Sequence, residues 1–169
     1  TAATQAAIEQ AAEGGIVILG VMPSQPETGY GYIQVDKDGA SSGVQDNVHT
    51  VKRFVEKPNA ATAQEYLTEG GYFWNAGMFV LKASVWLNAL QQFRPDIYHA
   101  THQAWSLRSA DANPSAPFVR PGKAEFIAIP AESVDYAVME RCPGSTFPIH
   151  MVPLKAGWSD LGSWDAVWN

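Results

Sequence analysis

Runs of apolar and polar residues along this chain change period at each turn signal, and the changes mark its elements. Residues 4 to 12 (TQAAIEQAA) are strong helix formers, and Gly14-Gly15 stops them in the manner of a helix C-terminus. Ile16 to Val21 (IVILGV) is β-branched and apolar on both faces, the pattern of a strand buried inside an α/β sheet. Pro23-Ser24-Gln25-Pro26 reads as a loop, Gly29 to Val35 alternates like a strand, and Asp38-Gly39 signals a turn. The polar SSGVQDN is loop, and Val51 to Glu56 is a further strand that Pro58 ends. Asn59 is placed to cap a helix over Ala60 to Leu67, terminated by Gly70-Gly71. Gly77 to Leu81 reads as a third apolar strand. Ser84 to Gln92 reads as a helix with Val85, Leu87, Leu90 and Phe93 as candidate buried residues, and Pro95 opens another running to about Arg108. ADANPSAPFVRPG is a Pro-rich connection. SVDYAVMER is helical with Ser133 as its cap, and Pro148 to Leu154 is a strand. Strands alternating with helices predict an α/β layered fold.

The 169 residues suffice for one compact domain or for part of a larger one. Charged residues make up only 17%, against roughly 25% in a typical soluble domain, which predicts that some surface is covered by something else. Eleven Lys and Arg stand against 17 Asp and Glu, a net charge of −6. That balance argues against duplex nucleic acid as a partner, although one or two placed cations still suit a phosphorylated small molecule. The single Cys142 excludes an internal disulfide framework and a Cys-based zinc cluster. No apolar run approaches the roughly 20 residues of a bilayer helix. The opening TAATQAAIEQAA lacks a basic signal region and has the look of a chain entered within an element; a soluble cytoplasmic protein is expected.

Four segments carry candidate chemistry. In Phe54-Val55-Glu56-Lys57-Pro58 a strand ends on an acid and a base, and ligands of open α/β sheets sit outside the carboxyl ends of strands. Glu56 is suited to accept from sugar hydroxyls and Lys57 to neutralise a phosphate; the plainer alternative is a solvated ion pair worth at most about 1 kcal/mol. In Pro26-Glu27-Thr28-Gly29-Tyr30-Gly31-Tyr32, glycine lets backbone approach a ligand and tyrosines offer flat walls for a sugar ring, or the segment is simply a kinked strand. Asn75 in Trp74-Asn75-Ala76-Gly77 has an amide that can both donate to and accept from hydroxyls, or is a turn residue before the strand. Asp160 in Trp158-Ser159-Asp160 stands at a strand-to-helix junction, with Ser163 as cap of the following helix. A carboxylate there suits Mg²⁺, and a turn or capping role is the alternative. His99 and His102, three apart, form a surface face more readily than a metal site. G-x-S-x-G is absent, and no histidine is placed to complete a hydrolase triad with Ser133 and Asp135.

Taken in order, PETGYGYI, FVEKP, WNAGMFV, SVDYAVME and WSDLGSW resemble the bacterial mannose-1-phosphate guanylyltransferases, and more broadly the sugar-nucleotide pyrophosphorylases. The likeness runs from Ile16 to the chain end and is greatest to the type often fused to a mannose-6-phosphate isomerase domain. It implies a Rossmann-like α/β sandwich with a mixed central sheet. The implied reaction joins mannose 1-phosphate to GTP, giving GDP-mannose and pyrophosphate. Under the resemblance Gly31 offers its backbone to the sugar, Glu56 and Asn75 bind sugar hydroxyls, and Lys57 binds the sugar phosphate. Asp160 ligates Mg²⁺, Glu27 and Tyr30 shape the sugar pocket, and Lys57 and Asp160 are the catalytic pair. The family's Gly-rich triphosphate loop and its second Mg²⁺-binding aspartate have no counterpart here. Residues 1–169 therefore resemble the C-terminal, sugar-phosphate-binding part of an incomplete nucleotidyltransferase domain, inactive alone. Bare apolar faces, with six tryptophans, predict a homo-oligomer. Two other readings stand beside this one: a pyrophosphorylase for another hexose 1-phosphate, and a non-catalytic sugar-nucleotide-binding regulatory module.

Overall fold

The computed structural model of the chain describes residues 2–40, 47–110 and 118–160, together with 164 and 168. Five long strands carry the architecture: β1 (Ile16–Val21), β2 (Tyr32–Ala40), β3 (His49–Val55), β4 (Tyr72–Val80) and β7 (Ile149–Pro153). They follow one another around a closed barrel in the order β1-β4-β2-β3-β7. β1 and β7 pair in parallel, and every other neighbouring pair is antiparallel. The sheet is mixed, as expected, but it closes on itself instead of remaining open.

Helices cover the ring because several strands are apolar on both faces. Ile16 and Ile18 of β1 join Ile33, Phe54, Ile149 and Met151 in the largest core cluster. Helix α3 (Ala83–Phe93) adds Ala89 and Leu90 to it, and α6 (Val134–Ala137) with the 3₁₀ turn Met139–Arg141 adds Ala137 and Met139. The alternate residues Val17 and Leu19 face the other way, onto Ala6, Ala7 and Ala11 of α1 (Ala2–Ala12). Helix α2 (Ala60–Glu69) packs Ala63 and Tyr66 on Tyr32, Tyr72 and Trp74. Helix α4 (Pro95–Ser106), the two-residue strands β5 (Ser109–Ala110) and β6 (Val119–Arg120), and α5 (Lys123–Ile127) form an outlying layer.

Local signals explain most boundaries. Gly14 at φ 99° ends α1, and Lys82 Nζ donates to the Ala12 carbonyl at 2.6 Å. Asn59 Oδ1 accepts from the Thr62 amide at 2.9 Å, and Gly70 at φ 70° closes α2. Ser133 Oγ likewise accepts from the Tyr136 amide, but α6 lasts four residues before tightening into the 3₁₀ turn.

Other expectations need correction. Asp38-Gly39 is not a turn: β2 runs through it to Ala40, and the signal surfaces as a register shift between Val35 and Ala40 against β3. β2 begins at Tyr32, not Gly29. Helix α4 stops at Ser106. Leu87 is exposed, while Ala89 takes the buried place on α3. Part of the Pro-rich connection forms the β5–β6 ribbon; residues 111–117 of it, residues 41–46 of the polar stretch, and Ser163 lie outside the described residues. Large apolar side chains are exposed on the outlying layer, among them Trp105, Leu107, Phe118, Phe126 and Ile127.

Candidate functional site

Strand register brings the first three candidates together. Tyr32 lies opposite Val55 of β3 and opposite Trp74 of β4. Because both pairings are antiparallel, one step back along β2 sets Gly31 beside Glu56 on one side and Asn75 on the other. The Asn75 amide donates to the Gly31 carbonyl at 2.8 Å. A Cβ on residue 31 would lie 2.6 Å from Glu56 Oε2 and 3.3 Å from Asn75 Cβ. Glycine here is therefore a space requirement set by the Glu56 carboxylate.

Asn75 sits inside β4 and not at its start. The expected strand from Gly77 is nine residues beginning at Tyr72, and its pairing with β1 jumps from Ile18–Phe79 to Gly20–Asn75. Gly77, at φ 68°, lies in that bulge and mimics a strand boundary in the sequence. The bulge orients the Asn75 side chain: Oδ1 accepts from the Gly77 amide at 2.9 Å, and Nδ2 donates to Asp135 Oδ1 at 3.1 Å.

Two acids that the sequence does not mark as site residues complete this side of the site. Asp135, on α6, meets Asn75, and Glu140 Oε1 accepts from the Glu56 amide at 2.7 Å. The available signal is the capped SVDYAVME segment, whose Ser133 cap turns its acids toward the barrel wall; nothing local ties it to Asn75, 60 residues away.

Lys57 has φ 47° and reaches Glu56 Oε1 at 3.3 Å. Its side chain is 58% exposed, whereas that of Glu56 is 8% exposed. Burial pushes the Glu56 carboxyl above its ordinary 4.5, the Asp135 charge adds to this, and Lys57 opposes it. Asp135 is also raised, again mainly by burial, with Asn75 and Lys57 opposing. Both groups bind a proton more tightly folded than unfolded. The stability they contribute is full below their ordinary values and is lost as pH rises through their folded values. Asp96, drawn down to about 2 by its hydrogen bond with Arg94, acts oppositely: its contribution is present above 3.8 and lost as pH falls toward 2. Glu56→Gln is accordingly expected to raise the Tm at pH 7, because a neutral amide removes the cost of keeping a buried carboxylate charged. It should also flatten the fall in Tm between pH 4 and 7; thermal denaturation across that range reads both, and an unchanged profile would refute the assignment.

A second group adjoins the first through Tyr30. Its ring meets Trp74 edge-on at 5.2 Å and Trp158 at 5.5 Å. Burial raises the Tyr30 hydroxyl above its ordinary value, the charges of Glu27 and Asp160 add to this, and a hydrogen bond with the Asp160 backbone opposes it. Glu27 folds its carboxylate into its own loop, with Oε1 accepting from the Thr28 and Gly29 amides at 3.2 and 3.4 Å. Its carbonyl accepts from the Tyr32 hydroxyl at 2.9 Å. Glu27 therefore shapes the wall beside Tyr30. Asp160 is exposed next to Tyr30, and among the described residues the ion pair of Lys57 is with Glu56 and not with Asp160. No group of three or more His, Cys, Asp or Glu able to hold a metal occurs among them. A single exposed carboxylate fits only a cation completed by phosphate oxygens and water, as Mg²⁺ is in phosphate-binding sites.

A mixed sheet carries an acid–base strand tip, a glycine kept bare for a carboxylate and an aromatic wall, and together they make an α/β domain with its polar groups gathered at one end of the strands. The sequence profile of the family described as "Nucleotidyl transferase" matches residues 1–169, and the chain belongs to that family. It is 46% identical over 169 residues to the mannose-1-phosphate guanylyltransferase of Escherichia coli K12, covering 99% of this chain and 33% of that protein. It is 45% identical over 170 residues to the xanthan biosynthesis protein XanB of Xanthomonas campestris pv. campestris strain B100, covering 98% of this chain and 33% of that one. The chain thus spans about a third of the length of the curated relatives it matches. Among solved structures it resembles mannose-6-phosphate isomerase from Helicobacter pylori, with a TM-score of 0.80 and 31% identity over 94% of this chain and 57% of that one. It also resembles a Thermus thermophilus protein described as mannose-1-phosphate geranyltransferase, with a TM-score of 0.76 and 28% identity over 98% of this chain and 42% of that one.

Proposed function

We propose that this chain supplies the sugar-phosphate-binding part of a mannose-1-phosphate guanylyltransferase. The reaction is transfer of GMP from GTP to mannose 1-phosphate. A phosphate oxygen of the sugar phosphate attacks the α-phosphorus of GTP, the bond from that phosphorus to the bridging oxygen breaks, and GDP-mannose and pyrophosphate result. The observation that carries the reading is the register that sets Glu56 and Lys57 beside Gly31 and Asn75. Lys57, mostly exposed, can swing its ammonium from Glu56 to an incoming phosphate, while Glu56 and Asn75 remain to hold hydroxyls. The Tyr30–Trp158 wall suits a sugar face. Little covalent work falls to the protein, since positioning and charge neutralisation dominate phosphoryl transfer. Mg²⁺, held by Asp160 together with substrate phosphates, would add Lewis-acid neutralisation.

The relatives' names support the nucleotide and the sugar, and the name of XanB supports a product destined for polysaccharide. A cytoplasmic location follows from the nucleotide substrate in this reading; no described helix is long and apolar enough to cross a membrane. The residues 1–169 form the sugar-phosphate part of a larger catalytic domain, and the exposed apolar side chains of α4 and α5 favour self-association. The test is nucleotidyl transfer by the full-length transferase carrying this segment, with GTP, ATP and UTP against mannose 1-phosphate and glucose 1-phosphate. GDP-mannose formation at the highest kcat/KM supports the reading. Preference for another hexose phosphate would replace its substrate, and binding without turnover would make the segment a regulatory module.

A further inference from the structure

We infer that Glu140 is a positioning residue for the sugar-phosphate site, one that holds the β3 tip so that Glu56 and Lys57 face the ligand together. The inference rests on the reading of Glu56 and Lys57 as sugar-phosphate ligands.

Lys57 is the sole non-glycine residue with positive φ among the described residues. A side chain in the left-handed region costs free energy, so its surroundings must impose it. On the far side, Pro58 is buried and fixes its own φ, and Asn59 is tied to α2 through the Thr62 amide. On the near side the peptide is gripped by one contact from outside the sheet, the 2.7 Å bond from the Glu56 amide to Glu140 Oε1. The β2 pairing ends at Tyr32–Val55, so this bond does for the Glu56 amide what a ladder partner would otherwise do.

Glu140 is itself firmly mounted. Its neighbour Met139 is fully buried in the main cluster. Its other neighbour, Arg141, donates to the Phe93 carbonyl at 2.9 Å and to the Tyr136 carbonyl at 3.3 Å. The location is electrostatically poor, because the Glu140 charge raises both the Glu56 and the Asp135 carboxyls while one lysine serves the group. A site chosen for stability alone would put a neutral acceptor there. What the Glu56 amide requires is an acceptor oxygen at this reach, and the length of the Glu140 side chain supplies it.

Two substitutions separate reach from charge. Glu140→Gln keeps an oxygen at the same distance without the charge, and Glu140→Asp keeps the charge but withdraws the oxygen by about 1.5 Å. Both are made in the full-length transferase carrying this segment, with Lys57→Ala in parallel. Glu140→Asp is expected to raise the KM for mannose 1-phosphate at least tenfold with the KM for GTP within twofold. Glu140→Gln should rescue most of that loss. A Gln variant as impaired as the Asp variant, an Asp variant indistinguishable from the parent, or equal changes in both KM values would overturn the inference. If Lys57→Ala leaves the sugar-phosphate KM unmoved, it is the underlying reading of the site that fails; if Lys57→Ala is impaired and Glu140→Asp is not, only the role of Glu140 falls.

Discussion

Lys57→Ala in the full-length transferase carrying this segment is expected to raise the KM for mannose 1-phosphate by one to two orders of magnitude. The KM for GTP should be unchanged. A hydrogen bond to a charged group contributes about 1.5–3 kcal/mol, which is roughly 10- to 150-fold in affinity. Lys57 is the cation that the described contacts bring to Glu56 and Asp135, so no neighbour in that group replaces it. Its loss has a second effect: Glu56 keeps its burial and its repulsion from Asp135 but loses its counter-charge, so its carboxyl moves further upward. Lys57→Arg should recover part of the loss, because the charge returns but a planar fork replaces a compact ammonium. Steady-state kinetics with each substrate varied in turn decides the matter. A mannose 1-phosphate KM within threefold of the parent would remove Lys57 from the site.

Gly31→Ala should be nearly as damaging from a single methyl group. The new Cβ would meet Glu56 Oε2 at 2.6 Å and Phe54 Cζ at 3.1 Å. Phe54 is buried and the Glu56 side chain is nearly so, which leaves little room for either to withdraw. Overpacking of this kind costs about 1–3 kcal/mol, a fall in Tm of roughly 2–12 °C here. The displaced carboxylate should also cost at least tenfold in mannose 1-phosphate affinity. Gly29→Ala is the matched control, since its Cβ would find only Glu27 Oε1 at 3.7 Å. Thermal denaturation and calorimetric titration of the two variants side by side test this, and a Gly31→Ala protein that binds as the parent does would refute it.

What the sequence disclosed and what it withheld divide along the range of the interactions. Ile16–Val21 was legible because a run of β-branched residues apolar on both faces has few other places to go. The Asn59 cap and the Gly70 stop were legible because each acts within four residues of itself. The start of β4 was not, because Gly77 belongs to a bulge created by pairing with β1, and a bulge glycine looks the same in sequence as a boundary glycine. Gly31, Glu56 and Asn75 could be named singly from residue type, but their adjacency is a product of register. Asp135 and Glu140 could not be assigned to the site because their partners Asn75 and Glu56 lie 60 and 84 residues away. Closure of the sheet was equally hidden, since it depends on His49 and Thr50 meeting Met151 and His150.

That last join is short. His49 and Thr50 pair with Met151 and His150, but β3 runs on to Val55 without a further partner on β7. Past Thr50 the tip of β3 that carries Glu56 and Lys57 is held by the Glu140 carboxylate instead of by β7. The ring is thus clasped at one end of β3 and loosened at the other, and the candidate site occupies the loosened end.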